Sequence, residues 1–114
     1  MTADLVFFAA LGLLVAHELD AVLHQEWRFF PFLKPFDDVT AYRIFVLAHV
    51  PLLILILANL DSRGFQVGMD AFLIIHAGLH VILRHHPDLD FNNAFSMSVI
   101  LGAGMMGVLH LLLL

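Results

Sequence analysis

The sequence predicts an all-α fold, an integral membrane four-helix bundle, and three observations predict it. Of 114 residues, 61% are hydrophobic and 13% charged, and the mean hydropathy is +0.94. A soluble domain normally carries about a quarter charged residues to face water, so the missing polar skin implies a surface facing lipid. The apolar residues also fall into four runs of about 20 residues, the length that crosses a bilayer as a helix. What remains suffices for three short connections and two stubs, so residues 1–114 are expected to form a single domain.

The first span is expected near residues 4–27. It lacks a basic n-region and an Ala-x-Ala cleavage site, so it reads as a retained helix. Its second half carries His17, Glu18, Asp20, His24 and Glu26, which an ordinary lipid-facing helix would not tolerate. Pro31 and Pro35 prevent a regular helix over 28–38, and the aromatics there, with Arg28 and Lys34, suit an interfacial loop. Glu26, Trp27 and Arg28 read most simply as an interfacial anchor. The second span runs near 40–60, with His49 and Pro51 at its middle. Residues 61–64 form a polar turn. The third span covers about 65–84 and ends in the polar run 85–90. The fourth covers about 92–114, where Gly102, Gly104 and Gly107 would let helices approach closely in lipid.

Four spans place both termini on the same side. Arg28, Lys34, Arg43 and Arg84 fall near the opposite face, and only Arg63 near the terminal one. By the positive-inside rule the face with the Pro-rich loop is cytoplasmic, and both termini lie outside. The net charge is −5 and no basic block appears, so nucleic acid is not an expected partner. The lipid bilayer is, and a homo-oligomer or a larger membrane complex remains open. The absence of cysteine excludes disulfides, thiolate zinc sites and cysteine-ligated iron–sulfur clusters.

Eight histidines in 114 residues matter chiefly for their depth. At 1.5 Å per residue, His17, His49 and His76 lie about 15, 14 and 12 Å from the cytoplasmic ends of their helices, and His80 about 6 Å. Three helices thus deliver histidines to one layer. His17, Asp20 and His24, at i, i+3 and i+7, share one helical face. His76 and His80, at i and i+4, have the spacing by which two imidazoles grip one metal. Glu18 points about 100° from His17, to accept a hydrogen bond from a ligand or to meet another helix. Pro51 frees the carbonyl of Leu47 and is expected to kink the second helix beside the site. A single intramembrane histidine is ordinarily a helix-to-helix hydrogen-bonding residue. Convergence of several has no such cheap structural reason.

The candidate metal ligands are therefore His17, Asp20, His24, His49, His76 and His80, around one or two transition metal ions, with iron or zinc first in expectation. Chemistry by such an ion on a lipid-soluble substrate is one reading. A haem- or chlorophyll-binding small subunit of a larger complex is the alternative, and a metal or proton transporter the third. His17-Glu18 lacks the second histidine of a zinc-protease helix, since position 21 is Ala. His76-x-x-x-His80 with His85-His86 resembles the histidine boxes of membrane desaturases in local spacing only. Asp70 and His110, about 21 and 27 Å from the cytoplasmic face, are expected apart from the main cluster, as an ion pair or proton-relay step.

The runs Ala16-His-Glu-Leu-Asp-Ala21, His24-Gln-Glu-Trp-Arg28, Tyr42-Arg43, His49-Val-Pro51, His76-Ala-Gly-Leu-His80 and His86-Pro87 carry a further indication. Together they resemble a bacterial family of small four-helix integral membrane proteins of unknown function. That resemblance implies the fold and a location in the bacterial inner membrane. It implies no activity.

Overall fold

Each apolar run follows a short polar side chain that can accept a backbone hydrogen bond, and each begins a helix there. The computed structural model describes residues 2–114. Helix α1, Ala3–Leu23, is capped by Thr2, whose Oγ1 accepts the Leu5 N–H at 3.3 Å. Asp37 caps α2, Asp38–Ala58, by accepting the Thr40 N–H at 3.1 Å. Ser62 does the same for Phe65 in α3, Arg63–Ile82, at 3.4 Å. Asn93 does so for Ser96 in α4, Ala94–Leu113, at 2.8 Å. Such caps satisfy backbone donors that a helix start leaves free, and each is worth about 1 kcal/mol. All four helices are long and apolar enough to cross a membrane.

Helices α2, α3 and α4 begin and end close to the expected bounds. The first span does not. Helix α1 stops at Leu23, and Gln25 adopts a left-handed conformation with φ 56°. The chain then reverses into two short 3₁₀ turns, Glu26–Phe29 and Pro31–Leu33. A left-handed residue just past a helix end breaks its hydrogen-bond ladder, and Pro31 bars its resumption. Glu26 therefore lies off the helical wheel on which the sequence places it. With Trp27 it is buried rather than anchored in an interface, while Arg28 pairs with Asp38 at 2.6 Å.

Helix α4 is the centre of the bundle and packs against both α1 and α3. Its small residues allow this. A Cβ at Gly104 would stand 2.8 Å from the Ala77 Cβ, and one at Gly107 would stand 3.3 Å from the Asp70 carbonyl. Phe7, Ala10 and Leu14 of α1 meet Met69 and Leu73 of α3 and Ala103 of α4 in one apolar cluster. A second cluster at the other end joins Ala21, Trp27, Leu33, Ala41, Phe45 and Phe91. The Phe7 ring touches His110, while His24 reaches Ser96, so α1 and α4 are antiparallel, the start of α1 beside the end of α4. Helix α2 stands at the edge and buries only Ala41, Phe45 and Ile56. Its outer residues, such as Leu47 and Leu57, are about two-thirds exposed, at 66% and 67%.

Candidate metal centre

Three imidazoles and one carboxylate converge where α1, α3 and the reversal after α1 meet. His76 and His80 project from one face of α3 because they stand one turn apart. His17 faces them from α1, where its ring is fully buried. The three ring centroids are 4.8–5.0 Å apart, all in edge-on arrangements. The reversal at Gln25 turns Glu26 beneath them, and its Oε1 lies 3.8 Å from His80 Nε2. One ligand atom from each of His17, Glu26, His76 and His80 lies within 4.8 Å of the others, and this group could hold a metal ion. Two donors bound tetrahedrally at 2.0–2.1 Å would be about 3.4 Å apart. The His17–His76 separation of 3.1 Å between Nε2 atoms already matches that spacing.

Hydrogen accounting shows that the group is incomplete as it stands. The Nε2···Nε2 contact needs one proton between two ring nitrogens, and His17 Nδ1 is buried with no partner among the described residues. A cation accepting both Nε2 lone pairs would replace that shared proton. Burial foremost, and then the nearby Glu18 carboxylate, push the Glu26 carboxyl up to about 8, while His49 opposes them. A fixed positive charge would reverse that cost. Phe91 closes one wall, 5.4 Å from His17 and 4.9 Å from His80, and Phe72 stacks on His76 at 5.2 Å.

The six expected ligands divide. His17, His76 and His80 come together. His49 lies beside them, but its Nδ1 donates to the Phe45 carbonyl at 2.7 Å and its Nε2 meets Glu18 Oε2 at 2.7 Å. With Nδ1 protonated, that second contact also requires a proton, so the pair carries no net charge. Asp20 and His24 turn to the other side of Phe91, where His24 lies 3.3 Å from Asp20, 3.2 Å from Asp90 and 3.4 Å from Ser96. Asp70 and His110 meet at 2.6 Å with both side chains fully buried. The fully buried Leu73, whose carbonyl oxygen lies 3.4 Å from where a Gly104 Cβ would stand, separates that pair from His76 along α3. Glu26 is the residue that sequence reasoning missed. No local pattern marks it, although a triad of neutral imidazoles invites a search for an anionic fourth ligand.

The chain belongs to a family of unknown function, DUF6713, whose family model matches residues 3–114. No curated protein and no solved structure matches it.

Proposed function

We propose that this protein is a single-domain intramembrane metalloprotein that binds a transition metal ion through His17, Glu26, His76 and His80. The observation that carries the reading is the convergence of three imidazoles and a carboxylate, three of the four buried, within 4.8 Å. Polar groups taken out of water cost several kcal/mol each unless something satisfies them together. A His₃-carboxylate set suits zinc or iron, whose sites accept mixed nitrogen and oxygen donors. Three rings in mutual edge contact favour a bare ion over a haem or chlorophyll, which needs a flat gap beside its axial ligand. The fully buried apolar Leu73 between His76 and the Asp70–His110 pair speaks against a transport path through both.

In this reading the four helices cross the bilayer, with both termini outside and the metal in the cytoplasmic half. The Lys/Arg bias of the loops supports that orientation. Glu18 and His49 stand beside the metal as a paired acid and imidazole, and Asp20 and His24 support the cytoplasmic end of α1. The chemistry that fits is metal-assisted reaction of a lipid-soluble substrate. The test is elemental analysis of detergent-purified protein. Near-stoichiometric zinc or iron is expected, falling at least about tenfold in the His76→Ala and Glu26→Gln variants. Equal metal content in a His17→Ala, His76→Ala double variant rules the centre out.

A further inference from the structure

The α2–α3 hairpin does not close on itself. Between its arms lies a cleft of about 340 Å³, within the range of sites that hold small organic ligands. Its walls are Ile44, Ala48 and Leu52 from α2 and Phe72 from α3, roofed by Phe30 and Phe32 of the segment after α1. Ile44, Leu52 and Phe72 are also part of the exposed apolar surface, at 37%, 37% and 46%. The cleft therefore opens sideways, onto the face that the proposed function places in lipid. Its polar groups lie only at the inner end, where Glu18, Glu26, His49 and His76 line it.

The hydrogen-bonding state of that inner end selects the ligand. Both His49 nitrogens are engaged, one by Phe45 and one by Glu18. Glu26 and His76 belong to the metal group. What remains is the second oxygen of Glu18, an acceptor. A head group must therefore donate a hydrogen bond there while offering an oxygen lone pair toward the metal side. Among the described residues no Lys or Arg lines the cleft, so an anionic head would lie against Glu18 with no ammonium or guanidinium to pair it. A cationic head would face the metal.

We propose that the α2–α3 cleft binds a long-chain aliphatic or isoprenoid alcohol, its chain between Ala48, Leu52 and Phe72 and its hydroxyl donating to Glu18. This rests on the metalloprotein reading for the role of the hydroxyl oxygen, and it names the substrate class for that same site. The ligand arrives from the bilayer and not from water, because the apolar walls are continuous with the outer helix surface. The Glu18–His49 pair fixes the floor, since it ties the middle of α2 to α1.

The test uses zinc-loaded full-length protein in phosphatidylcholine nanodiscs and a dodecanol analogue carrying a photoactivatable diazirine on its chain. Peptide mapping should place the label at Ala48–Leu52 and around Phe72, above the labelling of outward residues such as Leu47 and Leu57. Dodecanol should compete at concentrations about tenfold lower than dodecanoate or dodecane, a difference of about 1.4 kcal/mol. Ala48→Trp, which narrows the cleft from a position that is not itself a metal ligand, should abolish the label at unchanged zinc content. Uniform labelling of α2, or equal competition by the acid, overturns the proposal. Zinc measured on the same samples separates the two readings. Bound zinc without cleft labelling refutes the alcohol site alone. Cleft labelling in protein that holds no metal supports the binding cleft and refutes the metal centre.

Discussion

Substituting Gly104 by Ala tests whether the α3–α4 contact holds the metal group in place. The new Cβ would lie 2.8 Å from the Ala77 Cβ and 3.4 Å from the Leu73 carbonyl oxygen. Carbon atoms pack best at about 3.5–4.0 Å, so the helices must part by about 1 Å at this point. Forcing a methyl group into a packed interface costs about 1–3 kcal/mol, against a gain of about 0.5–1 kcal/mol from replacing a helical glycine. The expected result is a net loss of about 1–2 kcal/mol. Gly68 is the control, because a Cβ there meets nothing within 4 Å, so Gly68→Ala should stabilise by about 0.5–1 kcal/mol. The assay is unfolding by sodium dodecyl sulfate in mixed micelles, followed by the fluorescence of Trp27. That single tryptophan is buried against Phe45 and Tyr42. The site should also respond. Ala77 adjoins His76, so moving α3 off α4 carries His76 and His80 away from His17, and a ligand shell tolerates only about 0.5 Å of misplacement. Gly104→Ala should thus bind metal more weakly than Gly68→Ala. If the two variants are equally stable and bind metal equally, the close helix contact does not position the site.

Two further outcomes follow from the buried acids. Asp70→Ala strands the fully buried His110 ring and should lower stability by about 1–2 kcal/mol without changing metal content; loss of metal instead would tie this pair to the centre. Glu26, held up to about 8 against an ordinary 4.5 by burial and by Glu18, is protonated at neutral pH without a metal, so zinc binding at pH 7 should release about one proton from it. Because its folded value is raised, its contribution to the metal-free bundle is full below pH 4.5 and is lost as pH rises through 8. Glu26→Gln should flatten that slope and remove the proton from calorimetric titrations run in two buffers, and a slope unchanged in Glu26→Gln would refute the assignment.

The four helices were legible because each rests on signals that tertiary context seldom overrides. These are a run of about 20 apolar residues and a capping side chain at its start. The pairing of His76 with His80 follows from helical geometry alone, and depth alone brings His17 level with them. The destinations of His49, Asp20 and His24 required the rotation of each helix about its axis, which hydrophobic patterning cannot fix when nearly every face is apolar. Helix α2 illustrates this, since only Ala41, Phe45 and Ile56 are buried along its length. Glu26 was illegible for a different reason. A single left-handed residue, Gln25, redirects the chain, and glutamine has no strong preference that would announce it.

The division of the polar residues into separate groups itself bears on function. The Glu18–His49 pair closes on itself with both imidazole nitrogens bonded. The His24 ring has Asp20, Asp90 and Ser96 around it. Asp70 and His110 share a hydrogen bond across α3 and α4, with Asp70 Oδ1 and His110 Nε2 left over, and sit where Gly107 lets the helices touch. Each of these three has a structural reason, because each ties two elements together by polar bonds. The fourth group is different. His17, His76 and His80 share a single ring-to-ring hydrogen bond, and Glu26 lies 3.8 Å from His80, too far for a direct one. A chain that needed only helix-to-helix bonds would gain nothing from a third imidazole and a raised carboxyl there. One ligand atom from each of the four residues lies within 4.8 Å of the others without their fully satisfying one another, and together they could hold a metal ion.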